Sequence, residues 1–122
     1  MEIAAEQYDR GRFRVLAVSG EVDVYSAPSL KSRLVDVVDT VSGSTGQSAG
    51  GEAVSGVVLD LSGVTFMDSA GLGVLVGANR RARDAGMTMR LAGGSVQVLK
   101  LLAMTGLASV MPPFDDVASA TA

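Results

Sequence analysis

Thr65-Phe66-Met67-Asp68-Ser69-Ala70-Gly71-Leu72-Gly73 lies between an apolar run, Val57-Val58-Leu59-Asp60-Leu61, and a helical stretch from Val74 to Ala85. A buried strand that feeds a helix through a short turn is the repeating unit of an α/β domain. At the centre of the stretch a serine stands beside an aspartate and among small residues, where a helix is expected to begin. A helix start leaves backbone N–H groups unpaired and carries a partial positive charge. The Ser69 hydroxyl is expected to cap that start, and a phosphate can also sit there at little cost to the fold.

On the N-terminal side, Ile3 to Tyr8 reads as a short edge strand and Asp9-Arg10-Gly11 as a turn. Arg12 to Ser19 puts Phe13, Val15 and Ala17 on one face and Leu16 and Val18 on the other, which predicts an interior strand. After Gly20-Glu21-Val22-Asp23-Val24-Tyr25, Ser26 is placed as an N-cap and Pro28 in the first helical turn, with Tyr25 and Leu30 spaced as a hydrophobic staple. Leu30, Leu34, Val37, Val38 and Val41 form the apolar stripe of this helix. Residues 42–56 are rich in Gly and Ser and read as a flexible insertion or long surface loop.

On the C-terminal side, Leu72, Leu75, Val76 and Asn79 share one face of the helix that Gly86 closes. Met87 to Ala92 is a further strand. Ser95 caps a helix bearing Val96, Leu99, Leu102 and Ala103, and Gly106 ends it. Val110-Met111 is a candidate short strand, and Asp115-Asp116 opens a last helical segment through Ala120. The alternation predicts a single α/β domain over residues 1–122 with a small sheet of four to five strands.

Composition narrows the chemistry. The chain has 122 residues and neither cysteine nor histidine. Disulfides, thiolate or imidazole metal sites, and Ser-His-Asp or Cys-His catalysis are therefore closed to it. Lys31 and Lys100 are the only lysines, and no motif places either beside Ser69, so a Ser-Lys dyad has no support. No catalytic residue, metal site or cofactor is expected. A net charge of −3 argues against nucleic acid as a partner. Arg80, Arg81 and Arg83 are the one dense basic cluster, at a helix C-terminus where the dipole favours cations. The N-terminus lacks the pattern of a signal peptide and no apolar run has the length of a membrane span, so a cytoplasmic location without membrane attachment is expected. Gly71-Leu72-Gly73 with Gly77 only superficially suggests a dinucleotide turn. About ten residues separate Leu61 from Gly71, whereas such a turn begins at the strand's end.

Met67-Asp68-Ser69-Ala70-Gly71-Leu72-Gly73 resembles the phosphorylation motif of bacterial anti-sigma-factor antagonists, the SpoIIAA-like STAS domains. Gly20-Glu21-Val22-Asp23, Val57 to Phe66 and Met104-Thr105-Gly106-Leu107 resemble further segments of that family. The resemblance implies a small mixed sheet with helices mainly on one side. It implies that the unphosphorylated protein binds an anti-sigma factor that is also a GHKL-type serine kinase, which frees the sigma factor and regulates transcription. Ser69 then corresponds to the phosphoacceptor, and a SpoIIE- or RsbU-like phosphatase restores the active form. Glu21, Asp23, Ser26, Met67, Asp68, Ala70, Gly71 and Leu72 are the expected partner-binding residues. One of Leu72 and Val74 is expected to be exposed to the partner. The 42–56 insertion departs from the family pattern. The alternative is a constitutive STAS scaffold that phosphorylation does not control.

Overall fold

The computed structural model describes residues 3–43 and 54–122. The described chain runs β1 (Ala4–Arg10), β2 (Phe13–Val22), α1 (Ala27–Gly43), β3 (Gly56–Met67), α2 (Ser69–Asp84), β4 (Thr88–Ala92), α3 (Val96–Met104), α4 (Leu107–Val110) and α5 (Val117–Ala120). The strands form one mixed sheet in the order β1-β2-β3-β4. β1 pairs antiparallel with β2, while β2, β3 and β4 are mutually parallel. α1 and α2 therefore occupy the crossovers that parallel pairing requires.

Period-two patterning assigns the faces. Leu16, Val18 and Val22 of β2 and Val57, Leu59 and Leu61 of β3 point into the main core. The α1 stripe Leu30, Leu34, Val37, Val38 and Val41 covers them, as its spacing predicts, with Leu75 and Ala78 of α2 and Val98 and Leu102 of α3. Each fully buried leucine in this layer contributes about 1.5–3 kcal/mol through burial. The opposite face is smaller. Phe13, Val15, Val58 and Ala92 are capped there by Ala120 of α5. Most of the helical mass thus lies on one side of the sheet, which leaves the C-terminal ends of β2 and β3 and the starts of α1 and α2 at one end of the molecule.

Several sequence expectations are corrected. β3 extends to Met67, past the expected Leu61, because β2 continues to pair with it through two register shifts, between Ala17 and Ser19 and between Gly20 and Glu21. The sheet has four strands among the described residues. Val110 ends the helical turn α4, and the contact with β4 is instead a single parallel bridge from Phe114 to Ala92. Val76 does not share the buried face of α2, which is Gly71, Leu72, Leu75, Ala78 and Ala82. Tyr25 is 83% exposed and forms no staple with Leu30, which is buried. Residues 44–53 of the expected insertion lie outside the described residues. Its flanks are already helix at Ser42 and strand at Gly56.

Candidate functional site

The site begins where β3 leaves the sheet. β4 pairs with β3 only as far as Asp60 opposite Ala92, so the far half of β3 has one unpaired edge. At Met67 a side chain closes that edge. The Met67 N–H donates to Gln97 Oε1 at 2.9 Å, and Gln97 Nε2 donates to the Met67 carbonyl at 2.8 Å. On the other side the Asp68 N–H donates to the Val22 carbonyl at 3.1 Å. The last residue of β3 is thereby gripped from both directions. The next residue turns the chain into a helix.

That residue, Asp68, is the N-cap of α2. Its backbone is extended (φ −114°, ψ −171°), and Oδ1 accepts from the Ala70 N–H at 2.9 Å and the Gly71 N–H at 3.4 Å. Ser69, expected to be the cap, is the first residue within the helix. It is exposed, and its hydroxyl makes no hydrogen bond to a described residue. The carboxylate satisfies the helix start and leaves the hydroxyl uncommitted. Asp is as good a cap as Ser and adds a charge favourable to the dipole. Gly71 is required by close packing: a Cβ there would lie 2.6 Å from Met67 Cγ and 2.8 Å from Val22 Cγ1.

The turn from β2 into α1 lies alongside, joined through the Val22 carbonyl. Asp23 Oδ1 accepts from the Tyr25 N–H at 2.9 Å and the Ser26 N–H at 3.0 Å. The buried Ser26 hydroxyl donates to the Glu21 carbonyl at 2.7 Å and accepts from the Asp23 N–H at 3.0 Å. Ser26 therefore braces the preceding turn, and its hydroxyl does not reach forward to cap α1. The Ser26 N–H, with a further bond from Tyr25, holds the Asp23 carboxyl below its ordinary range. This hydrogen-bonded turn presents Val24 and Tyr25 outward, two exposed apolar side chains.

The expected partner-binding set thus divides. Ser69 is exposed, and Glu21, Asp23, Asp68 and Ala70 are partly exposed at the same end of the sheet. Met67 is wholly buried, and Ser26 and Gly71 are buried as well, so their side chains shape the site and offer no surface to a partner. Neither Leu72 nor Val74 is fully exposed: Leu72 is buried and Val74 packs partly against the core. The outward apolar residue of this helix is Val76. Carboxylates dominate around Ser69. Lys31 lines a groove of about 320 Å³ between α1 and α2 together with Ala70 and Gly73. Further along that groove Arg81 makes a two-point contact with Asp39, Nε to Oδ1 at 2.9 Å and Nη2 to Oδ2 at 2.8 Å. Gln97 was invisible in the sequence, because a glutamine in a helix's first turn carries no sign of a partner thirty residues away. Among the described residues no cluster of three acidic groups is placed to hold a metal, and no helix is long and apolar enough to cross a membrane.

A mixed four-stranded sheet with its helices mainly on one face is the fold of SpoIIAA-like α/β domains. The chain belongs to the STAS-domain family, whose model matches residues 3–120. It is 33% identical over 114 residues to an anti-sigma-B factor antagonist of Listeria monocytogenes, covering 91% of this chain and 88% of that protein. The crystal structure of an anti-sigma factor antagonist from Mycobacterium paratuberculosis superposes with a TM-score of 0.80 at 24% identity, over 97% of this chain and 90% of that one. The Bacillus cell fate determinant SpoIIAA in its phosphorylated form superposes with a TM-score of 0.61 at 20% identity, over 90% of each chain.

Proposed function

We propose that this protein is an anti-sigma-factor antagonist, a cytoplasmic regulatory binding protein and not an enzyme, whose affinity for its partner is set by phosphate on Ser69. The unmodified form binds an anti-sigma factor that is also a GHKL-type serine kinase, and the sigma factor is released. The kinase transfers the γ-phosphoryl group of ATP to Ser69 Oγ. One O–P bond forms, the bond to ADP breaks, and the hydroxyl proton passes to a base of the kinase. A SpoIIE- or RsbU-like phosphatase hydrolyses the ester. ATP and magnesium belong to the partner.

The observation that carries this reading is the division of labour at the start of α2. Asp68 holds the Ala70 and Gly71 N–H groups, while the Ser69 hydroxyl is exposed and uncommitted. Modification therefore breaks no hydrogen bond of the fold. A phosphate adds about −1.5 to −2 charges. Those two N–H groups are already occupied, so the new charge adds to that of the Asp68 carboxylate. The end of the molecule that carries Glu21, Asp23 and Asp68 becomes strongly negative, and an acidic or apolar partner surface docked there is rejected.

The test is incubation with the cognate anti-sigma kinase and ATP, with mass spectrometry to map the phosphate. Ser69→Ala is expected to abolish uptake with its melting temperature retained. Ser69→Asp is expected to weaken kinase binding by about 100-fold, the scale of a like charge introduced into a docking surface. Phosphate on another residue with Ser69 silent, or unchanged affinity of Ser69→Asp, overturns the proposal in favour of a constitutive scaffold.

A further inference from the structure

Only part of the sheet's lighter face is covered. There α5 lies over Phe13, Val15, Val58 and Ala92. Strand register sets Glu6 of β1, Ala17 of β2 and Asp60 of β3 side by side, with Ala4, Ser19 and Gly63 beside one another further along. Successive side chains alternate between faces, so Ala17 and Asp60 share the face that Val15 and Val58 occupy. Among the described residues no helix covers this half: Ala4, Glu6, Ser19 and Gly63 are exposed, and Ala17 and Asp60 are half-buried. The six residues line a hollow of about 190 Å³. The register shift of β2 between Ala17 and Ser19 falls inside it, and Gly63 permits the close approach, since a Cβ there would lie 2.7 Å from Ser19 Cβ.

The hollow has a charge and an aromatic edge. Glu6 and Asp60 stand two strands apart, about 10 Å across Ala17. Neither forms a salt bridge with a described residue. Asp60 Oδ1 accepts from the Ser62 N–H at 2.9 Å and from the Ser62 hydroxyl at 2.6 Å, which fixes that carboxylate on the sheet. Tyr8, two residues from Glu6 on the same strand face, is 42% exposed beside Val15. No lysine or arginine lines the hollow. Arg10, two residues beyond Tyr8, acts on the Asp116 carboxyl of α5. Small side chains between two carboxylates, with a phenol ring at the edge, fit a guanidinium: a carboxylate takes its N–H groups in pairs and a ring takes its flat face. A second copy of this chain fits poorly, because a two-fold contact through this face sets Glu6 and Asp60 against the same two carboxylates.

We infer that the uncovered half of the lighter face, at the hollow between Glu6 and Asp60, is a docking site for an arginine-bearing basic segment of a partner protein. The face lies on the reverse of the sheet from α1 and α2 and needs no modification of Ser69, so it stands or falls apart from the phosphate switch. A partner seated there leaves the start of α2 open to a second one.

The test uses a short fluorescein-labelled peptide in which arginine alternates with serine, and the same peptide with citrulline for every arginine, read by anisotropy against the full chain. The arginine peptide is expected to bind and the citrulline peptide to bind about tenfold more weakly, the loss of a charge-assisted pair. Glu6→Gln and, separately, Ser19→Arg, which sets a cation in the hollow, are each expected to lower affinity about tenfold. Tyr8→Ala is expected to lower it about threefold and Tyr8→Phe to leave it as in the parent, because the ring is what the guanidinium stacks on. Glu6, Tyr8 and Ser19 are exposed, and unchanged melting temperatures check the fold. Asp84→Asn on α2 and Ser69→Asp are expected to bind the peptide as the parent does. Absence of binding, equal binding of both peptides, or indifference to Glu6→Gln and Ser19→Arg overturns the inference. So does a loss for Asp84→Asn equal to that for Glu6→Gln, which would mean attraction to net charge alone. A concentration-dependent dimer in sedimentation equilibrium that Ser19→Arg abolishes would assign the face to a second copy, and calcium binding by calorimetry that displaces the peptide and is lost in Glu6→Gln would assign the hollow to a metal ion; either result overturns the inference as well.

Discussion

Asp68 and Ser69 are neighbours with opposite duties. Asp68 is consumed by the fold: its carboxylate occupies two N–H groups that helix geometry leaves without partners. Asp68→Ala is expected to destabilise the protein by about 1 kcal/mol, measurable by urea denaturation, while Asp68→Asn retains most of the cap. A larger loss for Asp68→Asn than for Asp68→Ala would show that capping is not its role. The acid side of the stability profile belongs to other carboxylates. The Ser26 N–H depresses Asp23, the Arg81 guanidinium depresses Asp39, and the Ser119 N–H depresses Asp116. A carboxyl held lower in the folded than in the unfolded chain adds stability that is present in full above the ordinary value of about 3.9 and is lost as pH falls through its folded value. Stability is therefore expected to decline below about pH 4. Asp23→Asn should flatten that decline in a pH series of thermal melts, and no change on substitution would remove Asp23 from the account.

At the scale of elements, α2 contains glycines with opposite meanings. Gly71 is pressed against the side chains of Met67 and Val22, and a side chain there makes them give way. Gly73 and Gly77 have nothing within 4 Å of a would-be Cβ, so packing does not demand them. Gly77→Ala is expected to raise stability by up to about 1 kcal/mol through helix propensity, whereas Gly71→Ala lowers it by about 1–3 kcal/mol through overpacking; paired chemical melts decide both. β3 depends on α3 in a way that neither element reveals alone. Gln97→Leu leaves the Met67 N–H and carbonyl without partners, at an expected cost of about 1–3 kcal/mol. Amide exchange at Met67 should accelerate, and unchanged protection there would refute the clasp.

Over the whole molecule, one face of the sheet has a thick helical cover and the other a light one. The light side is held by its own clasp. The Arg90 guanidinium lies 4.9 Å from the Phe13 ring centroid and 5.3 Å from that of Phe114, and Nη1 donates to the Ala120 carbonyl at 2.8 Å. Arg90→Ala is expected to loosen α5, seen as faster hydrogen exchange across 117–120 with the Leu59 region unaffected, since α5 covers only the minor core. Loss of protection throughout the sheet would instead show that the two cores unfold as one. The separation has a functional side, because the residues assigned to contact with the anti-sigma factor lie at the end of the parallel strands or along α2, away from this clasp.

The sequence by itself determined the α/β class, the interior place of β2 and the covering stripe of α1, because hydrophobic period reports directly which face of an element meets the core. It also carried the Asp68-Ser69 motif and, through resemblance, the family. Only the tertiary structure decided that Asp68 caps and Ser69 is left free. Two adjacent residues compete for the same N–H groups, and the backbone angles at Asp68, held by bonds to Val22 and the nearby Gln97 clasp on Met67, select the winner. The exposure of Val76 and Tyr25 and the service of Gln97 to β3 were settled in the same way, by contacts between segments far apart in the chain.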